Sequence, residues 1–204
     1  DKMSFVDNQK LVGTAFTVIG ILFIIAALVQ FAGAITMEGG LGEHVGFAIA
    51  AVGAILAAIV YFKYGNSVRT GALSGKLNIL GNYVLVVGVT TIVVGFFSAI
   101  GGLMSELPFW DNVVMIILGL IVVWAGKKIL DGKETTIDKI LWILLTIIFL
   151  VLFIVNFVGI FGSFGAGDVL NIVVELLTAV CYSIVYLFML CYMFDGEVKK
   201  GMGM

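Results

Sequence analysis

Apolar residues along this chain gather into six long runs, at about 11–35, 45–62, 77–100, 113–125, 140–161 and 169–194, separated by short breaks of polar residues and glycine. Crossing a hydrocarbon layer of about 30 Å takes about 20 helical residues. The fourth run is the shortest, and its flanks extend it from near Phe109 to Ile129. None of the runs alternates apolar with polar residues, as a membrane barrel strand would. In lipid the backbone groups must bond within their own segment, so helix is the assignment for all six. The expected fold class is an all-α integral membrane protein with six transmembrane helices in one domain.

The breaks differ in charge. Lys2 and Lys10 precede the first run, Lys63, Arg69 and Lys76 separate the second from the third, Lys127, Lys128, Lys133 and Lys139 separate the fourth from the fifth, and Lys199 and Lys200 follow the sixth. The other three breaks hold no lysine or arginine. Their acids are Glu38 and Glu43, then Glu106 and Asp111, then Asp168. The positive-inside rule converts this split into an expected multi-pass topology with both termini cytoplasmic.

Composition agrees: 62% of residues are hydrophobic, 12% are charged and the mean hydropathy is +1.21, against about 25% charged in a soluble domain. The net charge of -2 leaves no cationic excess for nucleic-acid phosphates. The expected partner is the lipid bilayer, joined by a second copy or another membrane subunit if the chain works in a complex. Cys181 and Cys191 share one run, where ten residues of helix separate them by roughly 15 Å, too far to bridge. With one histidine, His44, and no Cys/His cluster, neither metal nor cofactor is expected. Asp1-Lys2 before Met3 reads as the end of an acidic, lysine-terminated tag, which places the native start at Met3. The first apolar run lacks a small-residue cleavage pattern and reads as a span rather than a removable signal.

A period of about 63–66 residues also emerges. Gln9-Lys10-Leu11, Gly75-Lys76-Leu77 and Asp138-Lys139-Ile140 each open a long apolar run, and each following pair of runs returns to the basic side. This predicts three tandem helical hairpins, at about 3–69, 70–134 and 135–204. Gly46, Ala50, Ala54 and Ala58 recur at steps of four in the second run. Gly81, Gly88, Gly95 and Gly102 recur at steps of seven in the third. Both series are expected to be seams of close helix packing. Tyr61, Tyr64, Tyr192, Trp124 and Trp142 on the basic side, with Phe109 and Trp110 opposite, are expected to anchor at the membrane interfaces.

One run carries a polar stripe. Asn171, Glu175, Thr178, Tyr182 and Tyr186 recur at steps of four, three, four and four, which is a single helix face. Glu175 is the one carboxylate inside any run, about 10 Å from the acidic edge at 1.5 Å per residue. An ionisable group at such depth is a functional-site hypothesis. Glu175 would bind a proton or small cation, with oxygens from Asn171, Thr178 and Tyr182. The competing reading has it snorkel outward or bond Asn156 or Gln30 on a neighbouring helix.

Gly165-Ala166-Gly167-Asp168 is similar to the GxGD signature of intramembrane aspartyl proteases, and that resemblance implies a second catalytic aspartate, for which Asp111 is the candidate on the same side. No nucleophile–histidine pair, zinc-protease motif or phosphate loop is present. The expected function is non-enzymatic: a small-solute or ion transport or channel component whose sixth helix lines the path. The alternatives are a structural or assembly subunit and, remotely, the protease.

Overall fold

The computed structural model describes residues 7–36, 38–105, 109–165 and 169–204, leaving aside the side chains of Leu170, Asn171 and Val174. Six long helices follow one another: α1 (Gln9–Thr36), α2 (Leu41–Thr70), α3 (Lys76–Met104), α4 (Trp110–Ile129), α5 (Thr136–Gly162) and α6 (Val169–Met193). A 3₁₀ turn, Ser163–Gly165, follows α5, and a short α7 (Gly196–Gly201) ends the chain. There is no strand among the described residues. All six long helices are apolar and long enough to cross a membrane, so this is a polytopic helical membrane protein.

Consecutive helices are antiparallel, and glycine decides how closely they approach. In the first hairpin a Cβ on Gly13 would strike the Arg69 backbone, one on Gly65 the backbone of Phe16 and Thr17, and one on Gly20 the Phe62 backbone. The second hairpin repeats this alternation from end to end. Gly81 meets Leu130, Leu85 meets Gly126, Gly88 meets Val123, Ile92 meets Gly119 and Gly95 meets Ile116. Contacts recurring every seven residues on both helices give the shallow left-handed crossing of coiled-coil-like packing, with main chain nearly touching main chain. Gly81, Gly88 and Gly95 of the sevenfold series on α3 thus form a seam, as expected from sequence, while Gly102 borders a cavity.

The fourfold series on α2 behaves differently along its length. Gly46 packs backbone to backbone on Gly101 of α3, and Ala50 lies beside the same residue. Ala54 and Ala58 instead border an open cleft.

The third hairpin carries no such alternation. α5 and α6 are held by side chains, and only 11% of the apolar stretch of α5 is buried. The hairpin meets the rest of the molecule mainly through α6 against α1 and, more lightly, α3 against α6 and α4 against α5.

The core sits toward the end where the basic residues lie. Val12 and Phe16 of α1, Leu80 and Tyr83 of α3, Met189 and Tyr192 of α6, and Val198 and Met202 around α7 are all essentially buried there. Polar ties close the same end. Gln9 Nε2 donates to the carbonyls of Val68 and Leu73 at 2.9 and 2.7 Å. Lys76 Nζ lies 2.5 Å from Asp7 and 2.6 Å from Asp195, which also caps α7 by accepting from the Glu197 N–H. Lys128 at the end of α4 reaches Asp131 at 2.7 Å and Asp138 of α5 at 3.2 Å. Asp138 is 1% exposed and forms a capping box with Thr135.

The aromatic residues divide. Trp110 and Trp124 are 68% and 52% exposed, as interfacial anchors should be. Tyr64 and Tyr192 are not anchors: both are buried, and the Tyr64 hydroxyl donates to the Ile79 carbonyl at 2.7 Å. An aromatic ring with one hydrogen-bonding tip suits a core as well as an interface when a carbonyl lies within reach.

Candidate functional site

Between the first two hairpins and α6, at mid-depth, lies a cleft of about 320 Å³. It opens where α1 and α2 present alanines, Ala27 on one and Ala54 and Ala58 on the other. Gln30 of α1, Tyr61 of α2, Thr90 and Thr91 of α3 and Tyr182 of α6 supply its polar groups. Phe23, Val94 and Met115 supply apolar wall. Among the described residues no charged side chain lines it.

The hydroxyl protons are committed in a fixed direction. Thr90 Oγ1 donates to the Val86 carbonyl at 2.8 Å and Thr91 Oγ1 to the Val87 carbonyl at 2.7 Å. These are the back-bonds by which a helical threonine satisfies itself in an apolar setting. The phenol groups of Tyr61 and Tyr182 border the same cleft.

Toward the basic end the cleft is closed by rings. Phe23 packs against both Tyr61 and Tyr182 with centroids 5.3 Å apart, and Tyr182 stacks on Tyr186 at 5.7 Å. Below them Tyr186 packs on Phe149, and Tyr83 packs on Phe149, Phe16 and Tyr64. Toward the acidic end Gln30 also borders a second cavity of about 220 Å³, with Ser98, Ser105 and Asn112 in its wall.

The residues predicted from the α6 stripe are dispersed over this geometry. Tyr182 lines the cleft. Thr178 lies half-buried in the narrow gap between α6 and α1, beside Ile19, Leu22 and Phe23. Glu175 is exposed and lines neither cavity. Seven residues before Tyr182, it stands on the same side of α6, about 10 Å nearer the acidic end. Asn171 lies in the first turn of α6, its side chain outside the described residues. Asn156 donates to the Leu152 carbonyl of its own helix at 2.8 Å. Asp168 and the two residues before it lie outside the described residues, and Asp111 is exposed in the first turn of α4. Cys181 and Cys191 are free thiols, and no three His, Cys, Asp or Glu among the described residues gather as metal ligands.

Sequence reading missed Thr90, Thr91 and the cleft role of Tyr61. The available signal was a pair of adjacent threonines in the middle of an otherwise apolar span. Compared with protein families, curated proteins and solved structures, the chain matches none.

Proposed function

We propose that this protein is a non-enzymatic component that lets a small solute or ion cross a membrane, with α6 lining the path. The observation that carries the reading is Tyr182. This member of the α6 polar stripe stands in the wall of a mid-depth cleft, and Gln30 of the same wall also borders a second cavity nearer the acidic end. A concave site with a mostly apolar wall and a few placed polar groups is the usual form of a small-molecule site. By the positive-inside rule both termini are cytoplasmic and the cleft opens to the opposite side, with the aromatic layer around Tyr61, Phe23 and Tyr182 as its inner barrier. Glu175, at the outer approach beside Asn171 and Thr178, is the coupling or selectivity group in this reading. The three hairpins are its repeating units, the first two carrying the glycine alternation and the third modified to face the path.

A second reading, a structural or assembly subunit, draws on α5, which leaves a long row of exposed Ile, Leu, Val and Phe side chains from Ile137 to Phe161. Liposomes separate the two. Protein-dependent flux of glycerol, K⁺ or H⁺ that falls to the protein-free level in Ala54→Phe, which fills the cleft, is the expected result. For an ion, Glu175→Gln should abolish flux while leaving expression intact. Wild-type flux no greater than in protein-free liposomes for every solute favours the subunit, and equal ion flux from wild type and Glu175→Gln removes Glu175 from the site.

A further inference from the structure

At the acidic end α2 and α3 meet backbone to backbone through Gly46 and Gly101, and Gly53 packs on Phe97. At the basic end a side chain bridges them instead, the Tyr64 hydroxyl donating to the Ile79 carbonyl. Beside that bridge lies a groove of about 360 Å³, lined by Val60, Lys63 and Ser67 of α2 and Asn82 and Val86 of α3, with Leu73 of the connecting turn at its end.

The groove changes character along its length. Because α2 runs toward the basic end and α3 away from it, Val60 and Val86 lie deepest, Lys63 and Asn82 about one turn nearer the surface, and Ser67 and Leu73 at the mouth. Leu56 and Val89, both exposed, carry the apolar floor one further turn toward mid-depth. The 30 residues of α2 span about 45 Å against about 30 Å of hydrocarbon, so the ends of the helix stand in the head-group layers. Lys63, about 10 Å from the basic end of α2, marks the boundary between the two.

The polar half has positive charge without a counter-charge. Lys63 is exposed at the rim, and among the described residues no carboxylate pairs with it, whereas Lys76 and Lys128 at the same end are each held by two. Asn82 gives one amide hydrogen to the Asn78 carbonyl at 2.8 Å and has a second to offer. A cation and an amide donor above an apolar trough complement a molecule with a negative head and a hydrocarbon tail. Basic pockets between transmembrane helices take anionic lipid head groups in this way.

We propose that the groove between α2 and α3 is a binding site for an anionic phospholipid of the leaflet at the basic end, its phosphate on Lys63 and Asn82 and one acyl chain along Val60, Val86, Leu56 and Val89. The site is separate from the cleft beside α6 and stands whether or not that cleft conducts.

The test is photolabelling of the full chain in phosphatidylcholine vesicles. These carry a trace of either phosphatidylglycerol or phosphatidylcholine with a diazirine midway along one acyl chain, and the label is mapped to peptides by mass spectrometry. The phosphatidylglycerol probe should label residues 56–60 and 86–89 about fivefold more than the phosphatidylcholine probe, the difference one lysine makes at a membrane surface. Lys63→Gln should bring the two probes level, and Lys63→Arg should keep the difference. Lys133→Gln removes an exposed charge elsewhere at the same end and should leave the difference unchanged, which separates a site from the general attraction of a basic surface. Equal labelling by the two probes in the wild type, a preference that survives Lys63→Gln, or one that vanishes in Lys133→Gln overturns the proposal. Displacement of the phosphatidylglycerol probe by soluble glycerol 3-phosphate also overturns it, since the apolar half of the groove would then contribute nothing.

Discussion

The indole of Trp142, in the second turn of α5, donates a 2.7 Å hydrogen bond to the carbonyl of Met193, the last residue of α6. The final carbonyls of a helix have no partner within it, and here a side chain from the neighbouring helix supplies one. This bond and the Phe149–Tyr186 stack tie the third hairpin together where glycine contacts are missing. Trp142→Phe keeps an aromatic ring beside Phe194 and loses the donor. It should cost about 0.5–1.5 kcal/mol, read as a lower unfolding temperature in detergent.

Glycine substitutions should divide by helix face. Gly88→Ala places a Cβ 2.6 Å from the Val123 backbone nitrogen, and main chain cannot step aside, so a loss of about 1–3 kcal/mol is expected. Gly33→Ala meets nothing within 4 Å and should gain up to about 1 kcal/mol from helix propensity. Thermal unfolding of the two variants in one detergent checks the contrast.

Acid should loosen the basic end. Burial pushes the Asp195 carboxyl up, but the Lys76 bond, the Glu197 N–H and the Lys76 charge together hold it below the usual carboxylate range. The Lys128 bond does the same for Asp131, helped by the Lys133 N–H and opposed by partial burial. A carboxylate whose pKa is lower folded than unfolded adds stability above its unfolded pKa, about 3.9, and loses it as pH falls through the folded value. Stability should therefore be level from pH 7 to 5 with respect to these groups and fall below about pH 4. Asp195→Asn retains a good N-cap residue while removing the charge. It should be less stable at pH 7 and show a shallower acid decline.

Orientation is testable with single cysteines in a background where Cys181 and Cys191 are alanine. Positions 43 and 111 should react with an impermeant maleimide added to intact cells, and position 133 only after permeabilisation. The opposite pattern inverts the topology.

The helices were legible because lipid imposes one rule on every residue of a span. The fourth run, extended from Phe109 to Ile129, forms as Trp110–Ile129. The α7 helix was not legible by hydropathy, since six residues give no periodic signal. Its clues were Asp195 followed by Glu197 at a cap, and Val198 and Met202 with nothing else to bury them. The cleft was hidden for a different reason. Ala54 and Ala58 look the same in sequence whether a helix packs on them or stands away, and which occurs is settled by α6, more than a hundred residues later. The two interpretations of Glu175 likewise turned on how far α6 stands from α1, a distance that no pattern within α6 encodes.

The unequal use of glycine makes the molecule mechanically two-part. Prising α3 from α4, or α1 from α2, would separate backbones locked together at every second turn, and those four helices therefore act as a stator. The α5/α6 pair is joined to that stator by rings and long side chains, which can slide and re-seat at far smaller cost. The seam between α6 and α1, lighter than those between α1, α2, α3 and α4, is where a displacement would open the molecule first.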